Sequence, residues 1–463
     1  MPTWDTICYR WAPMSWRSRN MPMRRWRLST SSSGPPDMTL DDIRATILDG
    51  RTKGIPAAST PFALKDIAAK RWNVLREDLP LPLMVLKRTA LDHNAAVFGD
   101  YIAESGLSLA PHGKTTMSPQ IFAEQLSHGA WGITAATASQ VQVMHAYGVK
   151  RVVMANQLLG KANVEAIAQI LAADPEFDFY CYVDSVAQLD NLARHLGRPA
   201  RPIKLLLEVG ALGGRTGVRT LEAASQVAEA LAAADPACFR FAGVAAFEGS
   251  VPGLDKGTSP INDFARFVVE VARSLPPSLY AGLDEFVLSG GGSSYFDIMA
   301  ETFKTLELKL PVRILLRSGC YVTHDSGAYH AAQEEAKTDP HRHDHHPADL
   351  MPALEAWAYV QSLPEPGLAF LAMGKRDIPY DAGLPVPVKL YRPGVGFLPV
   401  GQATVFATND QHAFVRLGEG ASWQVGDLVA SGISHPCTAF DKWRFIPIVN
   451  DAYDVIDGVL TFF

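Results

Sequence analysis

A chain of 463 residues, 48% hydrophobic and 19% charged, has the composition of a globular protein long enough for two domains or for one large α/β domain with an appendage. Its net charge of -6 and pI near 6.1 leave no basic excess to seek nucleic-acid phosphates, and no run of about 18 apolar residues is present to span a bilayer. The expectation is a soluble, cytoplasmic protein: Cys8, Cys181, Cys238, Cys320 and Cys437 are scattered without C-x-x-C spacing, which suits a reducing compartment better than a disulfide framework.

The first 36 residues carry six arginines, four tryptophans and one aspartate and end in a Ser/Gly/Pro cluster. They lack the apolar stretch of a secretory signal and read as a disordered extension, or as the product of an upstream start codon with Met21, Met23 or Met38 as the true start. From about residue 60 to 330, short apolar runs alternate with helical stretches rich in Ala, Leu, Gln and Glu. The runs LSLAP, WGITAAT, RVVMAN, FDFYCYVD, IKLLLEVG, FAGVAAF, EFVLSGGG and VRILLRSG number eight, as a (β/α)8 TIM-type barrel requires. Their continuous apolar character suits parallel strands covered by helices, which an open doubly wound sheet would also satisfy. After LAPHGK, Ser118 is expected as an N-cap with Pro119 at the first helical position and Gly129 past the end. The HGKTT residues then fall where a strand gives way to a helix, the face on which barrels place their chemistry.

Residues 331–350 contain His341, His343, His345 and His346 among Asp and Pro and read as a solvated loop rather than a metal site. Residues 351–463 read as strands and turns, a smaller β domain that the early strand at 82–87 is expected to join. On position alone, Lys114 is a surface ammonium at a loop start. The glycine-rich turns EVGALGGRTGV, LSGGGSSYFD and RSGCYVTHD change that reading, because such turns after late barrel strands offer N–H groups to a phosphate. A phosphate site opposite a first-strand lysine suggests pyridoxal phosphate held as a Schiff base.

The motifs LAPHGKTT, GITAATASQVQVMHAYGV, LEVGALGGRTGV, LSGGGSSY, RSGCYVTHD and SHPCTAFDKW, in unbroken order over residues 60–463, resemble the fold-type III pyridoxal phosphate enzymes. More closely, they resemble the branch of metal-dependent D-serine dehydratases and D-threonine aldolases. The resemblance implies an N-terminal barrel of the alanine racemase type, a C-terminal β domain and a homodimer. It implies Lys114 as the cofactor-binding lysine and base, Arg215 on the cofactor's phenolic oxygen and Arg317 at the pyridine nitrogen. Ser289, Gly291, Gly292 and Ser293, with Gly319, Cys320 and Tyr321, would cradle the phosphate. No counterpart of the racemases' second acid/base tyrosine is readable.

In place of that tyrosine, His435 and Cys437 flank a proline, and residues two apart in extended chain face the same way. Alone the pair reads as structural; within the resemblance it implies a metal site. The thiolate favours Zn2+ over Mn2+ or Mg2+ and points to the dehydratase side, where the aldolase branch carries aspartate. His412 falls where the resemblance implies an acidic-acidic-histidine turn, here altered to Asp410-Gln411-His412, and lies either just behind the metal's ligands or merely at a strand end, while His112 either orients the site or packs beneath it. The expected activity is elimination of water from D-serine or a similar β-hydroxy D-amino acid to a 2-oxo acid and ammonia. Retro-aldol cleavage of D-threonine-like substrates is the alternative; racemization and a non-catalytic cofactor carrier are the remaining ones.

Overall fold

Eight parallel strands succeed one another in the computed structural model: β1 (Ser108–Leu109), β2 (Ile133–Ala135), β3 (Arg151–Gln157), β4 (Asp178–Val183), β5 (Ile203–Val209), β6 (Phe239–Ala246), β7 (Phe286–Gly290) and β8 (Val312–Leu316). The structure describes residues 38–253, 257–345, 347 and 349–463. The N-terminal extension, residues 1–36, and His346 of the histidine cluster lie outside them.

The strands hydrogen-bond in chain order from β2 to β8, and β8 returns to pair with β1. The last gap is closed by a parallel bridge between His112 and Thr134 and by the Thr134 hydroxyl donating to Ala110 O at 2.6 Å. That closure makes the sheet a barrel and excludes the open doubly wound alternative. Its lumen is a packed layer in which Ala110, Ala242 and Ala245 make room for Tyr180 and Tyr182, with Val153, Leu206, Val287 and Leu315 filling the rest. Both faces of each strand are therefore buried, which is why the strands read as unbroken apolar runs.

The C-terminal part is antiparallel. Strand Leu354–Glu365 pairs with Leu428–Gly432 on one side and with the early strand Leu83–Lys87 on the other, and that early strand also runs parallel to Phe445–Val449. Chain from before the barrel is thus built into the sheet after it. One apolar cluster spans both parts, from Leu83 and Phe98 to Trp357, Trp443 and Phe445.

Local readings fared unevenly. Ser118 occupies the N-cap position of helix Pro119–Ser127, but its hydroxyl makes no capping bond and is a buried polar atom without a partner. The stretch expected as a loop from 331 begins inside a helix, Ala328–Thr338. His341 and His345 beyond it are exposed, whereas Arg342 between them is buried.

The Arg342 guanidinium meets the Asp297 carboxylate through two hydrogen bonds, Nε to Oδ2 at 2.7 Å and Nη2 to Oδ1 at 3.0 Å. It also donates to Ser294 O at 3.0 Å, which ties the turn after β7 to the segment after the helix. Removing one partner of such a pair leaves the other charge buried. Asp297→Ala is expected to lower stability by about 3–5 kcal/mol in urea denaturation, with Asp297→Asn intermediate.

Candidate active site

The C-terminal ends of the strands open into a cavity of about 520 Å³, large enough for a cofactor with a small substrate. Lys114 enters it from the short turn Gly113–Thr115 that follows β1, and among the described residues its ammonium has no hydrogen bond or ion pair. Arg215, from the turn after β5, lies over the Phe247 ring at 4.4 Å. Arg317, just past β8, is buried and fixed by Ser289 Oγ and Ala246 O, each at 2.6 Å. His112 also lines the cavity, and its Nδ1 is buried without a partner. Burial, followed by the charges of Lys114, Arg317 and Arg215, holds this imidazole well below its usual pKa, so it is neutral.

Of the residues expected to cradle a phosphate, Gly292, Ser293, Gly319 and Cys320 line the cavity, whereas Ser289, Gly291 and Tyr321 do not. Ser289 lies beneath the surface holding Arg317, and Tyr321 stacks on Phe98 in the core at 4.4 Å. The amides of Gly291 and Gly292 are already committed: they donate to the buried Glu248 carboxylate at 3.2 and 2.5 Å. Burial pushes the Glu248 pKa up against the pull of these amides. The two turns nonetheless face each other, since the Cys320 amide donates to Ser293 Oγ at 3.1 Å. Gly319 must be glycine because an added Cβ would stand 2.6 Å from His112 O.

His435 and Cys437 line the same cavity. The extended-chain argument for their pairing does not hold. His435 has φ of 62°, in the left-handed region, Pro436 is helical, and Cys437 opens the helical turn Cys437–Phe440. The pair is assembled by its supports instead. Asp381 Oδ2 meets His435 Nδ1 at 2.5 Å while Asp381 Oδ1 accepts from the Thr438 hydroxyl at 2.6 Å, which leaves Nε2 as the ring nitrogen free of the carboxylate. Thr115, next to Lys114, places Oγ1 3.3 Å from Cys437 Sγ.

The hydrogen bond with Cys320 holds the Cys437 thiol well below its usual pKa, and His435 and Thr115 add to that against burial. The Cys320 thiol is pushed up by the same hydrogen bond and by burial. His435 is raised to about 9, chiefly by its hydrogen bond to Cys437 and then by Asp381. Among the described residues no group of three or more His, Cys, Asp or Glu side chains is arranged to hold a metal.

Several of these groups were not foreseen from sequence. Asp381 and Glu248 have no local signature, because their partners lie 54 and about 43 positions away. Asp325 was legible: an aspartate two residues before the glycine that opens an Ala/Gln/Glu-rich helix is a capping signal. Its Oδ1 accepts from the amides of Gly327, Tyr329 and His330, and its Oδ2 from the amide of His435 at 3.0 Å. His412 is exposed on a turn, edge-on to Phe370, and does not line the cavity.

Residues 86–294 match the family described as alanine racemase, N-terminal domain, and residues 353–449 match the putative serine dehydratase domain. The chain is 25% identical to 3-hydroxy-D-aspartate aldolase from Paracoccus denitrificans (strain Pd 1222) over 311 residues, 66% of this chain and 75% of that one. It is 26% identical to D-threonine aldolase from an Arthrobacter species over 374 residues, 80% and 89% of the two chains. The crystal structure of D-threonine aldolase from Filomicrobium marinum superposes with a TM-score of 0.67 at 23% identity, covering 83% of this chain and 95% of that one.

Asp325→Ala strips four backbone amides of their acceptor at once. The expected outcome is a loss of about 2–4 kcal/mol in chemical denaturation. In hydrogen exchange, protection should fall at residues 327–330 and 433–437, and not in β3 to β5.

Proposed function

From the premise that the chain belongs to the fold-type III pyridoxal phosphate family, joining an alanine racemase N-terminal domain to a serine-dehydratase-type domain, we propose that it is a lyase eliminating water from D-serine or a similar β-hydroxy D-amino acid. The products are a 2-oxo acid and ammonia. One observation carries this reading: the His435 ring, held by Asp381, and the Cys437 sulfur share a cavity with Lys114, which has no partner among the described residues, and Thr115 beside that lysine touches the sulfur.

The residues fit the cofactor. Lys114 offers a free amine, Arg215 and Arg317 supply positive charge, and the neutral His112 has a buried nitrogen still to be satisfied. The Gly292–Ser294 and Gly319–Cys320 turns would hold the phosphate end, and Arg317 would face the ring. Bound pyridoxal phosphate supplies an electron sink for the pair left when the bond to the Cα proton breaks. A divalent cation on His435 and Cys437 supplies Lewis acidity toward the substrate's β-hydroxyl, and the thiolate favours Zn2+.

On this reading the chain's own residues have these tasks. Lys114 would anchor the cofactor and, once displaced from it, would accept the Cα proton. Burial and three neighbouring cations keep His112 neutral, so it does not add a fourth. Asp381 fixes the His435 ring through Nδ1 and leaves Nε2 free of the carboxylate. Glu248 rigidifies the turn after β7 by holding two of its amides.

Retro-aldol cleavage is a second reading, supported by the names of the two curated relatives. The same lysine and cation would then act on the β-hydroxyl proton, and the bond broken would be Cα–Cβ.

Purified protein incubated with D-serine and with D-threonine, with and without a chelator, separates these readings. The proposal expects 2-oxo acid from D-serine, and at least about a tenfold loss of rate on chelation that Zn2+ restores. Glycine plus aldehyde as the main products would replace elimination by aldol cleavage, and turnover indifferent to chelator would remove the role of His435 and Cys437. Lys114→Ala should lose the visible absorbance of lysine-bound cofactor; its persistence would refute the anchor.

A further inference from the structure

Two of the four described cysteines meet across the cavity. Cys320 Sγ lies 3.6 Å from Cys437 Sγ, at van der Waals contact, although the residues are 117 positions apart. One comes from the turn after β8 and the other from the first residue of the short helix Cys437–Phe440. Both border the cavity, so a small oxidant admitted to the site reaches both sulfurs. The other two have different surroundings: Cys181 is buried in β4, and Cys238 Sγ donates to Gly197 O.

We propose that Cys320 and Cys437 form a reversible two-electron redox site that peroxides convert to an intramolecular disulfide. Bond formation requires the sulfurs to close from 3.6 Å to about 2.05 Å. Cys437 sits at the start of a single helical turn beside the loop residues His435 and Pro436.

The chemistry balances in two steps. The Cys437 sulfur attacks one oxygen of hydrogen peroxide; the O–O bond breaks and hydroxide leaves as water with a proton, giving a sulfenic acid. The Cys320 sulfur then attacks the Cys437 sulfur; the S–S bond forms, the S–O bond breaks, and the hydroxyl leaves as water with the Cys320 proton. Two thiols have lost two electrons and one peroxide has become two waters. Thr115, whose hydroxyl approaches Cys437 Sγ at 3.3 Å and Cys320 Sγ at 3.9 Å, lies beside both sulfurs.

The disulfide itself rests on geometry alone. Its consequence rests on the proposed function: a disulfide occupies the one sulfur that the metal pair offers, so oxidation and metal binding exclude each other.

The test uses the metal-free full-length protein, one equivalent of hydrogen peroxide, alkylation of remaining thiols and non-reducing peptide mapping. The proposal expects one cross-link, between the peptides bearing Cys320 and Cys437, that dithiothreitol reverses and that is absent from Cys320→Ser. Cys437 recovered as sulfinic acid with Cys320 still alkylatable would overturn it, as would retention of both thiols. Prior loading with Zn2+ is expected to slow the cross-link at least about tenfold. If the disulfide forms at the same rate with Zn2+ present, the metal coupling is overturned while the disulfide stands.

Discussion

The site depends on the Asp325 carboxylate. It is buried at the end of the last barrel strand's loop and gathers four amides: three at the start of helix Ala328–Thr338 and one from His435, over a hundred residues downstream. Without such an acceptor, a non-glycine residue in the left-handed region would be strained with nothing to hold it. Two neighbouring bonds extend the seam, Ser326 N to Ile433 O at 2.9 Å and Ala328 N to Ser434 Oγ at 3.2 Å. Gly327 permits this approach, since an added Cβ there would stand 2.5 Å from the Ser434 side chain. A barrel loop and a loop of the antiparallel domain are thereby held as one surface.

Charge placement follows from that seam. The barrel side contributes Lys114, Arg215 and Arg317, and the antiparallel side contributes the Cys437 sulfur beside His435, whose ring is held by the Asp381 carboxylate. A cofactor carrying a phosphate suits the first group and a soft divalent cation suits the second. Thr115 joins them, being adjacent to the lysine in sequence and in contact with the thiolate in space.

The fold was largely legible because its cause is local: strands buried on both faces must be apolar throughout, and all eight barrel runs show this. Motif order singled out Lys114, Arg215, His435 and Cys437, which the fold brings to one cavity. What sequence did not convey depends on distant partners. A glycine-rich turn looks the same whether its amides face a phosphate or, as at Gly291 and Gly292, a carboxylate from the preceding βα loop. Tyr321 was misassigned because an aromatic beside a turn carries no sign of which way it faces, and here Phe98 claims it. The helix after Asp325 was missed because the histidine, proline and aspartate residues that follow it dominated the reading. His435 and Cys437 were paired for a reason that does not apply: a left-handed residue and a helical turn bring them together, not strand alternation.

The proposed metal site would set one nitrogen, from His435, and one sulfur, from Cys437, beside Lys114. Titration of the metal-free protein with cobalt(II), followed by absorption, tests it most directly. The account predicts one ion per chain with a thiolate-to-cobalt charge-transfer band that disappears in Cys437→Ser. Binding with no thiolate band, or a band that survives that substitution, would contradict it.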